Sequence, residues 1–470
     1  MELFDIEVSG ITDDSRELER GNLFVCIKGE NFDGHDVARE MLEKGAAAVV
    51  TERDLGLEKQ IIVNNTRKEL AKLCSAFYGE PTKKLKLIAV TGTNGKSTVI
   101  AMIKHILENL GKKVGSIGTI GYDTCGKIYE AHLTVPLQKE LYRLFAEMTE
   151  NGAEYCVIEA SSQALAQDRF GHETFGCAVF TNLTQDHLDW HKTMENYYLA
   201  KRSLFDMTKS AVVCIDDKYG EKLTLYIDEK ALPLITYSAK DFAALYAVNI
   251  KASGFGSSYW LSSKKEEKSF PVKICLPGLY NVANSMAAIS AVIQLGTPLN
   301  DAVEALSDFK GVRGRFEIIH DGDFTVICDY AHTEDALIKF LTEVKSFTTG
   351  RLICVFGAPG ERDIAKRPLM GAAVDECADY IIVTSDNPRF ENQEAIISQV
   401  CEGIKNTPYE VFTDRKEAIE AALKQAQAGD VIALCGKGHE TYQVIGDEYQ
   451  PFDEREIVLN AVGDDGNRPA

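Results

Sequence analysis

The sequence predicts an α/β protein with three domains: residues 1–82, a central domain of residues 83–312, and a C-terminal domain of residues 313–470 with a Rossmann-like open sheet. The chain has 470 residues, which is too long for a single hydrophobic core because domains average roughly 150 residues. A break rich in glycine, proline and lysine occurs at Gly79–Lys84. Beyond it, short apolar runs alternate with helical segments, as in parallel sheets whose strands are joined by helices.

Composition and charge limit the kinds of partner. Acidic residues number 71 and basic residues 51, a net charge of -20, which argues against a general nucleic-acid binder or a protein that binds anionic membranes. The N-terminal segment M-E-L-F-D-I-E-V-S-G has no long apolar run. We therefore expect no signal peptide, no membrane insertion and a cytoplasmic location.

The 12 cysteines form no C-x-x-C pair. Several occur in apolar, strand-like runs, where a thiol packs as a small hydrophobic group. We expect reduced core residues rather than disulfides or zinc ligands. This expectation applies in particular to Cys156, Cys214, Cys275, Cys328 and Cys354.

The N-terminal domain is predicted to be a small α/β unit. Three runs have the composition of short strands: Leu23–Ile27, Ala47–Val50 and Ile61–Asn64. A helix is expected over Val37–Lys44. Two polar segments, residues 13–16 and 28–34, lie at turns between these elements, and such segments taken alone are most often plain loops.

A phosphate-binding loop is predicted at the start of the central domain. Leu85–Val90 is an apolar run suited to a buried strand, and Ser97–Leu110 continues as an amphipathic helix. The loop between them supplies backbone N–H groups, a lysine for the terminal phosphates and a hydroxyl for Mg²⁺. Val90 replaces the first glycine of the general motif. The predicted phosphate-binding residues are Gly92, Thr93, Asn94, Gly95, Lys96, Ser97 and Thr98.

Further polar residues follow strands of the central domain. The run Glu154–Ile158 delivers Glu159, a carboxylate that could ligate Mg²⁺ or cap a helix. The run Cys177–Phe180 leads to His187 and His191. Their i, i+4 spacing is that of a helical zinc pair, but no H-E-x-x-H pattern is present, so zinc is the weaker interpretation.

The C-terminal domain has four runs typical of buried parallel strands: Thr325–Cys328, Leu352–Phe356, Tyr380–Val383 and Val431–Cys435. Each run is followed by polar or glycine-rich residues: D-Y-A-H from Asp329, G-A-P-G-E-R-D from Gly357, D-N-P-R from Asp386 and G-K-G-H-E from Gly436. Ligands bind at the carboxyl edge of such sheets. Four polar strand ends therefore predict a site for a polar ligand at that edge.

Taken together, these motifs resemble those of the Mur ligases, and within them the UDP-N-acetylmuramoyl-tripeptide synthetases. The resemblance covers essentially the whole chain and accounts for the shortened phosphate loop, which is the form that this family uses. It implies three domains with a central P-loop ATP-binding domain. The matching motifs are D-S-R at Asp14, T-G-T-N-G-K-S-T at Thr91, E-A-S-S at Glu159, N-L-T-Q-D-H-L-D-W-H at Asn182, G-L-Y-N-V-A-N at Gly278, G-R-F-E at Gly314, K-R-P at Lys366 and the strand-end motifs given above.

The resemblance implies an ATP-dependent acid–amino-acid ligase of peptidoglycan precursor synthesis. ATP would phosphorylate the D-Glu side chain of UDP-N-acetylmuramoyl-L-Ala-D-Glu, and the amine of a diamino acid would attack the acyl phosphate. Lys201, which its sequence context alone marks as a solvated helix residue, matches a lysine that the family carbamylates with CO₂. A carbamate carries the negative charge that a Mg²⁺ site needs. The residues that match the family's catalytic and Mg²⁺-binding groups are Lys96, Ser97, Glu159, His187 and Lys201.

The resemblance also implies ligand contacts. Around ATP, beyond the loop itself, the matching residues are Asn281, Arg315 and Asp329. For the UDP-substrate they are Ser15, Glu30, Asn31 and Phe32 at the uridine end, and Thr134, Val135, Ser161, Gln167 and Arg169 nearer the sugar and peptide. Two departures from the family occur, Thr134-Val135-Pro136 for Thr-Thr-Pro and Ser161-Ser162-Gln163 for Ser-Ser-His. The first removes a hydroxyl whose hydrogen bond would contribute about 0.5–1.5 kcal/mol.

The amino-acid substrate is predicted from the D-N-P-R tetrad. It is similar to the tetrad of family members that add meso-diaminopimelate, whereas lysine-adding members usually lack the arginine. The planar fork of Arg389 suits a second carboxylate, which L-lysine does not have. Without the resemblance, a surface turn with a solvated arginine would be favoured. The residues implied for this site are Arg362, Asp386, Asn387, Pro388, Arg389, Gly436 and Glu440, the last of which is expected to bind an ammonium.

Three alternatives remain open from the sequence. The same ligase could use L-lysine or another diamino acid. A non-catalytic relative that binds nucleotide sugars would have lost Lys96, Glu159, His187 or Lys201, yet all are present. A folylpolyglutamate synthetase is disfavoured by the N-terminal D-S-R domain. We expect a monomer whose partners are ATP, the UDP-linked dipeptide and meso-diaminopimelate, with no nucleic acid.

Overall fold

The computed structural model describes residues 2–3, 6–29, 32–254 and 256–465. Within them the chain builds a four-stranded, an eleven-stranded and a six-stranded sheet, together with two sheets of two strands each. The three larger sheets follow one another along the chain, and each lies inside one of the predicted domain ranges. The α/β fold class with three units is therefore confirmed. The boundaries near residues 82 and 312 stay predictions.

The N-terminal sheet is parallel throughout, in the order β3-β4-β5-β6. The helix predicted over Val37–Lys44 is two elements, a 3-10 turn Gly34–Val37 and then an α-helix, because the Asp33 side chain caps the earlier turn by accepting from His35 N. The elements of this unit are β1 (Glu2–Leu3), β2 (Ile6–Glu7), β3 (Gly10–Thr12), β4 (Asn22–Val25), α1 (Ala38–Glu43), β5 (Ala48–Thr51), β6 (Gln60–Ile62) and α2 (Thr66–Phe77).

The central sheet has the order β10-β9-β8-β11-β7-β12-β13-β14-β15-β16-β17. Strands β8 to β15 in this order are parallel, and antiparallel strands extend both edges. Its strands are β7 (Lys86–Thr91), β8 (Val114–Gly118), β9 (Gly121–Asp123), β10 (Ile128–Tyr129), β11 (Tyr155–Glu159), β12 (Cys177–Phe180), β13 (Ala211–Cys214), β14 (Leu234–Ser238), β15 (Leu245–Ser253), β16 (Gly256–Ser263) and β17 (Lys268–Ile274). Its helices are α3 (Lys96–Asn109), α4 (Gln138–Glu150), α5 (Ser162–Ala166), α6 (Leu188–His191), α7 (Met194–Arg202), α8 (Lys218–Glu229), α9 (Leu279–Gln294) and α10 (Leu299–Leu306), with 3-10 turns at Pro81–Lys83 and Ser203–Asp206.

The C-terminal sheet has the order β18-β19-β23-β20-β21-β22, with β18 antiparallel to β19 and the remaining pairs parallel. Its strands are β18 (Glu317–Asp321), β19 (Thr325–Asp329), β20 (Leu352–Phe356), β21 (Tyr380–Thr384), β22 (Tyr409–Phe412) and β23 (Val431–Cys435). A separate hairpin follows, β24 (Tyr442–Ile445) and β25 (Glu448–Pro451). The helices are α11 (Glu334–Phe347), α12 (Lys366–Cys377), α13 (Gln393–Cys401), α14 (Arg415–Gln425) and α15 (Glu454–Asp465).

One hydrophobic core continues from the central unit into the C-terminal unit. Leu276 and Phe309 of the central unit and Phe316 and Phe340 of the C-terminal unit belong to the same cluster, and each is at most 4% exposed. The rings of Phe316 and Phe340 meet edge to face, with centroids 5.4 Å apart. Apolar burial of this kind is the main favourable term in packing. It fixes how the C-terminal sheet is oriented toward the phosphate loop.

Two expectations about composition can be compared with the structure. All 12 cysteines are free thiols, but Cys275 is exposed, because β17 ends at Ile274 and the chain leaves the sheet there. The prediction of a core position for Cys275 is wrong. In the part of the chain that the structure describes, no helix combines the length and the apolar character that crossing a bilayer requires.

A buried ion pair supports two strand ends of the C-terminal sheet. Arg415 Nε donates to Glu454 Oε1 at 2.8 Å, and these side chains are 0% and 1% exposed. The guanidinium also donates to the carbonyl oxygens of Cys435, at 2.7 Å, and Ser385, at 3.3 Å. Those residues lie next to Gly436 and Asp386, so the ion pair holds the strand ends that carry the predicted amino-acid site.

We expect Glu454→Ala to destabilise the C-terminal sheet by about 3–5 kcal/mol, because it leaves the Arg415 charge buried without its partner. The measurement is hydrogen exchange at the amides of β19 and β23, which gives the free energy of opening. The control is Glu456→Ala, which removes an exposed carboxylate from the same helix. It should change the free energy of opening by less than about 0.5 kcal/mol. Equal effects of the two substitutions would contradict the assignment.

Candidate active site

The phosphate loop joins β7 to α3 in the middle of the central sheet. Gly92 has a φ of +148° and Gly95 a φ of +87°, values that residues with side chains rarely adopt. A Cβ on Gly92 would lie 1.9 Å from Thr181 Oγ1, and a Cβ on Gly95 would lie 2.3 Å from Asn284 Oδ1. Both glycines are therefore needed for the loop to fit beneath β12 and α9.

Backbone and side-chain groups of the loop are tied to the segment after β12. Asn94 N donates to Asn182 Oδ1 at 2.9 Å, and Thr181 Oγ1 donates to Asn94 O at 2.7 Å. Thr93 Oγ1 accepts from Thr184 N at 3.0 Å. The predicted loop residue Thr98 lies buried in the first turn of α3. These bonds within the protein hold the loop in shape.

The Mg²⁺-ligand candidates Ser97 and Glu159 are linked through Thr119. Thr119 Oγ1 lies 3.1 Å from Ser97 Oγ and donates to both carboxylate oxygens of Glu159 at 3.3 Å. Glu159 pairs with Val90 in register, because β11 and β7 are neighbouring parallel strands. The two predicted oxygen ligands of Mg²⁺, from Ser97 and Glu159, therefore lie at the same edge of the sheet.

The C-terminal unit reaches this edge through Arg315 and His439. Arg315 Nη2 donates to Ser97 Oγ at 3.1 Å. His439 Nε2 lies 2.9 Å from Thr119 O, and it must be the donor because a carbonyl oxygen can only accept. Burial and the Arg315 guanidinium lower the pKa of His439 to about 3, so the ring is neutral. Asp329, the other predicted residue here, accepts from Phe316 N at 2.7 Å, and burial raises its pKa.

Lys201 is buried, contrary to the solvated position that its sequence context alone indicates. It is 1% exposed, and Nζ donates to Gly92 O at 2.6 Å from above the Tyr197 ring. Burial, reinforced by the charge of Lys96, lowers the pKa of Lys201 well below its usual range. Lys96 Nζ donates to Thr93 O at 2.7 Å, and burial also lowers its pKa. Both amines therefore face the same loop.

The two histidines do not form a helical zinc pair. His187 precedes α6 with a φ of +52°, outside the helix, while the His191 ring lies 2.9 Å from Ser162 Oγ. His187 lies instead beside Asp186, to which Lys366 of α12 donates a hydrogen bond. Burial lowers the pKa of His187 to about 4, and the neighbouring lysines act in the same direction. The interpretation as a helical zinc pair is wrong. The neutral His187 ring meets the Tyr197 ring edge to face, and the Tyr197 hydroxyl lies 3.2 Å from Thr93 Oγ1 of the phosphate loop.

The donor set fits Mg²⁺ bound together with a nucleotide. Among the described residues, no three His, Cys, Asp or Glu side chains are grouped so as to hold a metal by themselves. The groups at the loop are the Ser97 hydroxyl, the Glu159 carboxylate and the His187 ring. Mg²⁺ typically takes few protein ligands and completes its shell with phosphate oxygens and water. The residues present suit such a shared ion.

The predicted ATP residue Asn281 lies at the start of α9. Its Nδ2 donates to Pro277 O at 2.8 Å, and its Oδ1 accepts from Asn284 Nδ2 at 3.1 Å. Asn284 is also the residue that approaches Gly95. A chain of contacts therefore connects Asn281 to the phosphate loop.

Two predicted residues of the amino-acid site, Asn387 and Glu440, meet at a buried lysine. Lys437, 0% exposed, donates to Asn387 Oδ1 and to Glu440 Oε2, both at 2.9 Å. Asn387 Nδ2 donates to the same Glu440 oxygen at 2.9 Å. Glu440 thus already binds one ammonium of the protein. Asp386 lies alongside, where a Cβ on Gly436 would come within 2.8 Å of its Oδ2.

The D-N-P-R tetrad is largely buried rather than a surface turn, since Asp386, Asn387 and Pro388 are all buried. Arg389 is half-buried with a φ of +53°, and its Nε is buried without a hydrogen-bond partner in the described residues. Arg362 is exposed on the loop after β20, and its Nη1 donates to Glu361 O at 3.4 Å. Among the described residues, no hydrogen bond or ion pair joins the Arg362 side chain to the other predicted residues of this site.

The predicted UDP-substrate residues form two groups. Ser15 and Phe32 follow the neighbouring parallel strands β3 and β4, so both lie at the carboxyl edge of that sheet. Phe32 is 52% exposed. Glu30 and Asn31, between these turns, lie outside the described residues.

The second group lies where α2 of the N-terminal unit meets the central unit. Arg169 donates to Gln167 Oε1, at 2.7 and 3.1 Å, and to Val135 O. The Val135 side chain is 0% exposed, so this position offers a ligand its backbone and not its side chain. Ser161 caps α5 by accepting from Ala164 N, and Thr134 is half-buried.

Four contact residues were missed as site residues by sequence reasoning: Thr119, Lys366, Lys437 and His439. Lys366, Lys437 and His439 lie within the quoted motifs K-R-P and G-K-G-H-E. Thr119 directly follows β8, so the rule that polar strand ends form sites could have found it.

Three family models match this chain in order. They are described as Mur ligase family, catalytic domain, over residues 7–78; Mur ligase middle domain, over residues 90–292; and Mur ligase, glutamate ligase domain, over residues 314–438. Each match falls on one of the three larger sheets.

Similar proteins match over nearly the full chain. A UDP-N-acetylmuramoyl-L-alanyl-D-glutamate--2,6-diaminopimelate ligase from Caldanaerobacter subterraneus subsp. tengcongensis is 46% identical over 97% of this chain and 94% of its own. A ligase of the same name, numbered 1, from Clostridium acetobutylicum is 43% identical with the same coverage. A solved structure of a ligase with that name aligns with a TM-score of 0.71 and 33% identity, over 98% of this chain and 96% of its own.

We expect Gly95→Ala to weaken binding of an ATP analogue by about fivefold to a hundredfold, because overpacking costs about 1–3 kcal/mol and each 1.4 kcal/mol lowers affinity tenfold. The measurement is isothermal titration calorimetry. Gly111→Ala is the matched control: it has a φ of +75° at the other end of α3 and no atom within 4 Å of the added Cβ. Unchanged affinity in Gly95→Ala, or an equal loss in Gly111→Ala, would contradict this account of the loop.

Proposed function

This chain belongs to the Mur ligase family, and from that premise we propose how its three sheets carry out one reaction: the ATP-dependent addition of meso-diaminopimelate to UDP-N-acetylmuramoyl-L-Ala-D-Glu, a step in peptidoglycan precursor synthesis. The observation that carries the proposal is the contact between two sheet edges. Arg315 Nη2 of the C-terminal unit donates to Ser97 Oγ of the phosphate loop at 3.1 Å. A phosphorylated substrate at one edge and an amine at the other can therefore meet.

The reaction proceeds through an acyl phosphate. An oxygen of the D-Glu side-chain carboxylate bonds to the γ-phosphorus of ATP as the bond to ADP breaks. The amine nitrogen then bonds to the acyl carbon, phosphate leaves with the former carboxylate oxygen, and the nitrogen loses a proton. The products are an amide, ADP and phosphate. Because no covalent bond to the protein is needed, catalysis consists of positioning and charge neutralisation.

In this proposal Lys96 neutralises charge that develops on the transferred phosphoryl group. Ser97, Glu159 and His187 would hold Mg²⁺, and the low pKa of His187, about 4, keeps its ring in the neutral form that binds metals. When bound, Mg²⁺ supplies a fixed positive charge at the phosphate oxygens. Asn281, Arg315 and Asp329 surround the rest of ATP.

We also propose that Lys201 is carbamylated. The neutral amine attacks the carbon of CO₂, a C–N bond forms, and a proton is released. Burial lowers the pKa of Lys201, which favours the neutral form at physiological pH. The carbamate would place a negative charge beside Lys96. An anion next to that lysine supplies the charge that a Mg²⁺ site needs.

The UDP-linked dipeptide is proposed to extend from the N-terminal sheet to the phosphate loop. Ser15, with Glu30, Asn31 and Phe32, would bind the uridine end. Nearer the peptide, we assign Thr134, the backbone of Val135, Ser161, Gln167 and Arg169. This arrangement is supported by the position of Gln167 and Arg169 between the two sheets, since neighbouring Asp168 accepts from Asn65 at 3.3 Å.

The amino-acid site is proposed at the tetrad. Arg389 would bind the distal carboxylate of meso-diaminopimelate with two parallel hydrogen bonds. Asp386, Asn387, Pro388 and Gly436 shape the pocket, and Arg362 and Glu440 complete it. The carboxylate of Glu440 would face the substrate ammonium in addition to Lys437. The buried Arg389 Nε without a partner supports a ligand at this point.

Location and assembly follow from the same proposal. Twelve free thiols suit a reducing compartment, so we place the protein in the cytoplasm. One chain supplies all three ligand regions, which makes a monomer sufficient. ATP, the UDP-linked dipeptide and meso-diaminopimelate are its proposed partners.

Carbamylation of Lys201 is tested by carbon NMR in buffer saturated with ¹³CO₂. We expect a carbamate resonance in the wild type and none in Lys201→Ala. The control is Lys209→Ala, which removes an exposed lysine close by in the sequence and should keep the resonance. Lys201→Ala should also lose activity, with partial recovery when short-chain carboxylates are added. A wild type without the resonance would refute the modification.

Specificity is tested by kcat/KM for meso-diaminopimelate and L-lysine. We expect the wild type to favour meso-diaminopimelate by about 2–5 kcal/mol, because L-lysine leaves the Arg389 fork without a carboxylate. Arg389→Ala should lose most of this preference. Arg389→Lys, which keeps the charge but not the fork, should retain part of it. A wild type that prefers L-lysine, or an alanine variant with full discrimination, would show that the assignment is wrong.

A further inference from the structure

The hairpin of β24 and β25 is attached to the C-terminal unit next to Arg389. Within the described residues its two strands form a sheet of their own. A hairpin of two strands is only marginally stable by itself, so contacts with a neighbouring element must hold it. Those contacts are made to Ser385–Arg389, which we call the arginine turn.

Backbone bonds attach the hairpin to Arg389 on both sides. Arg389 N donates to Val444 O at 3.1 Å, and Gly446 N donates to Arg389 O at 2.8 Å. The φ of Arg389 is +53°, a conformation that is uncommon for a residue with a long side chain. Such a conformation persists where surrounding contacts enforce it. The hairpin provides that enforcement.

The Gln443 side chain attaches the hairpin to the other end of the arginine turn. Its Nε2 donates to Asp386 O at 2.5 Å and to Ser385 Oγ at 3.3 Å. Next to it, Val444 N donates to Asn387 Oδ1 at 3.0 Å. Gln450 lies directly opposite Gln443 in the hairpin but is exposed. The two glutamines therefore share an element and differ in what they contact.

The arginine turn also contains an unsatisfied polar atom. Arg389 Nε is buried and has no hydrogen-bond partner among the described residues. Buried donors of this kind are rare and call for an acceptor. A carboxylate could accept from Nε and a terminal nitrogen together, but only when the guanidinium plane has the right orientation.

We infer that Gln443 is a positioning residue for selection of the amino-acid substrate. By fixing the arginine turn, it sets the plane of Arg389 for the distal carboxylate of meso-diaminopimelate. This inference rests on the function proposed above for Arg389. Because the hydrogen bonds of Gln443 go to the arginine turn and not to the phosphate loop, its loss should act on amino-acid binding and spare phosphoryl transfer.

The experiment measures kcat and KM for meso-diaminopimelate, L-lysine and ATP in the wild type, Gln443→Leu, Gln443→Glu and Gln450→Leu. For Gln443→Leu we expect KM for meso-diaminopimelate to rise about tenfold, the scale of one or two lost hydrogen bonds. The preference of this variant for meso-diaminopimelate over L-lysine should fall, while its kcat and its KM for ATP stay near the wild-type values. Gln443→Glu keeps the size but loses the donor and should shift in the same direction. Gln450→Leu should match the wild type.

A double variant separates positioning from general packing. Because Gln443 acts through Arg389, Gln443→Leu should reduce discrimination no further in an Arg389→Ala background. The inference is overturned if both Gln443 variants discriminate between meso-diaminopimelate and L-lysine as well as the wild type does, or if Gln450→Leu reduces this discrimination equally. It is also overturned if the effects of Gln443→Leu and Arg389→Ala on discrimination add fully in the double variant. If Arg389→Ala itself keeps full discrimination, the proposed function fails instead.

Discussion

The contact between the phosphate loop and the C-terminal sheet is the constraint on which the rest of this structure depends. Hydrogen bonds across it join Arg315 Nη2 to Ser97 Oγ at 3.1 Å, His439 Nε2 to Thr119 O at 2.9 Å and Asn94 Nδ2 to Asp335 Oδ2 at 3.1 Å, and Lys366 donates to Asp186. A continuous hydrophobic core beneath them fixes the angle between the units. An acyl phosphate and an amine react only at near contact. Groups on two sheets can do so only if this interface forms.

The interface concentrates charge in a protein whose net charge is -20. Lys96, Lys201 and Lys366 gather around Asp186, and burial lowers the pKa of Lys96 and Lys201. Lys96 and Lys366 at one sheet edge give an acidic protein a local site for phosphates. The backbone is shaped for the same purpose. A Cβ on Gly314 would lie 2.0 Å from His439 N, so a bulkier residue there would separate the two segments that reach the loop.

The strands of the sheets were predicted well because an apolar strand and the polar residues that follow it are both recognisable from a few consecutive residues. The bounds of Cys177–Phe180, Leu352–Phe356 and Val431–Cys435 are those observed. Non-local features were not predictable. Burial of Lys201 depends on its packing against Tyr197 and Gly92, and the role of Thr119 depends on β8 lying next to β11. The zinc spacing failed because His187 adopts a left-handed conformation, which removes it from the helix. The roles of the site residues rest on the family resemblance and remain proposals.

The central claim, that an acyl phosphate forms at this interface, is tested most directly by isotope transfer. The substrate would be the UDP-linked dipeptide with ¹⁸O in both oxygens of the D-Glu side-chain carboxylate, incubated with enzyme, ATP and meso-diaminopimelate. The account predicts that the phosphate released in each turnover carries one ¹⁸O, because the carboxylate oxygen that attacks phosphorus leaves with it. Mass spectrometry of the phosphate reads this out. Amide formation with unlabelled phosphate would contradict the account.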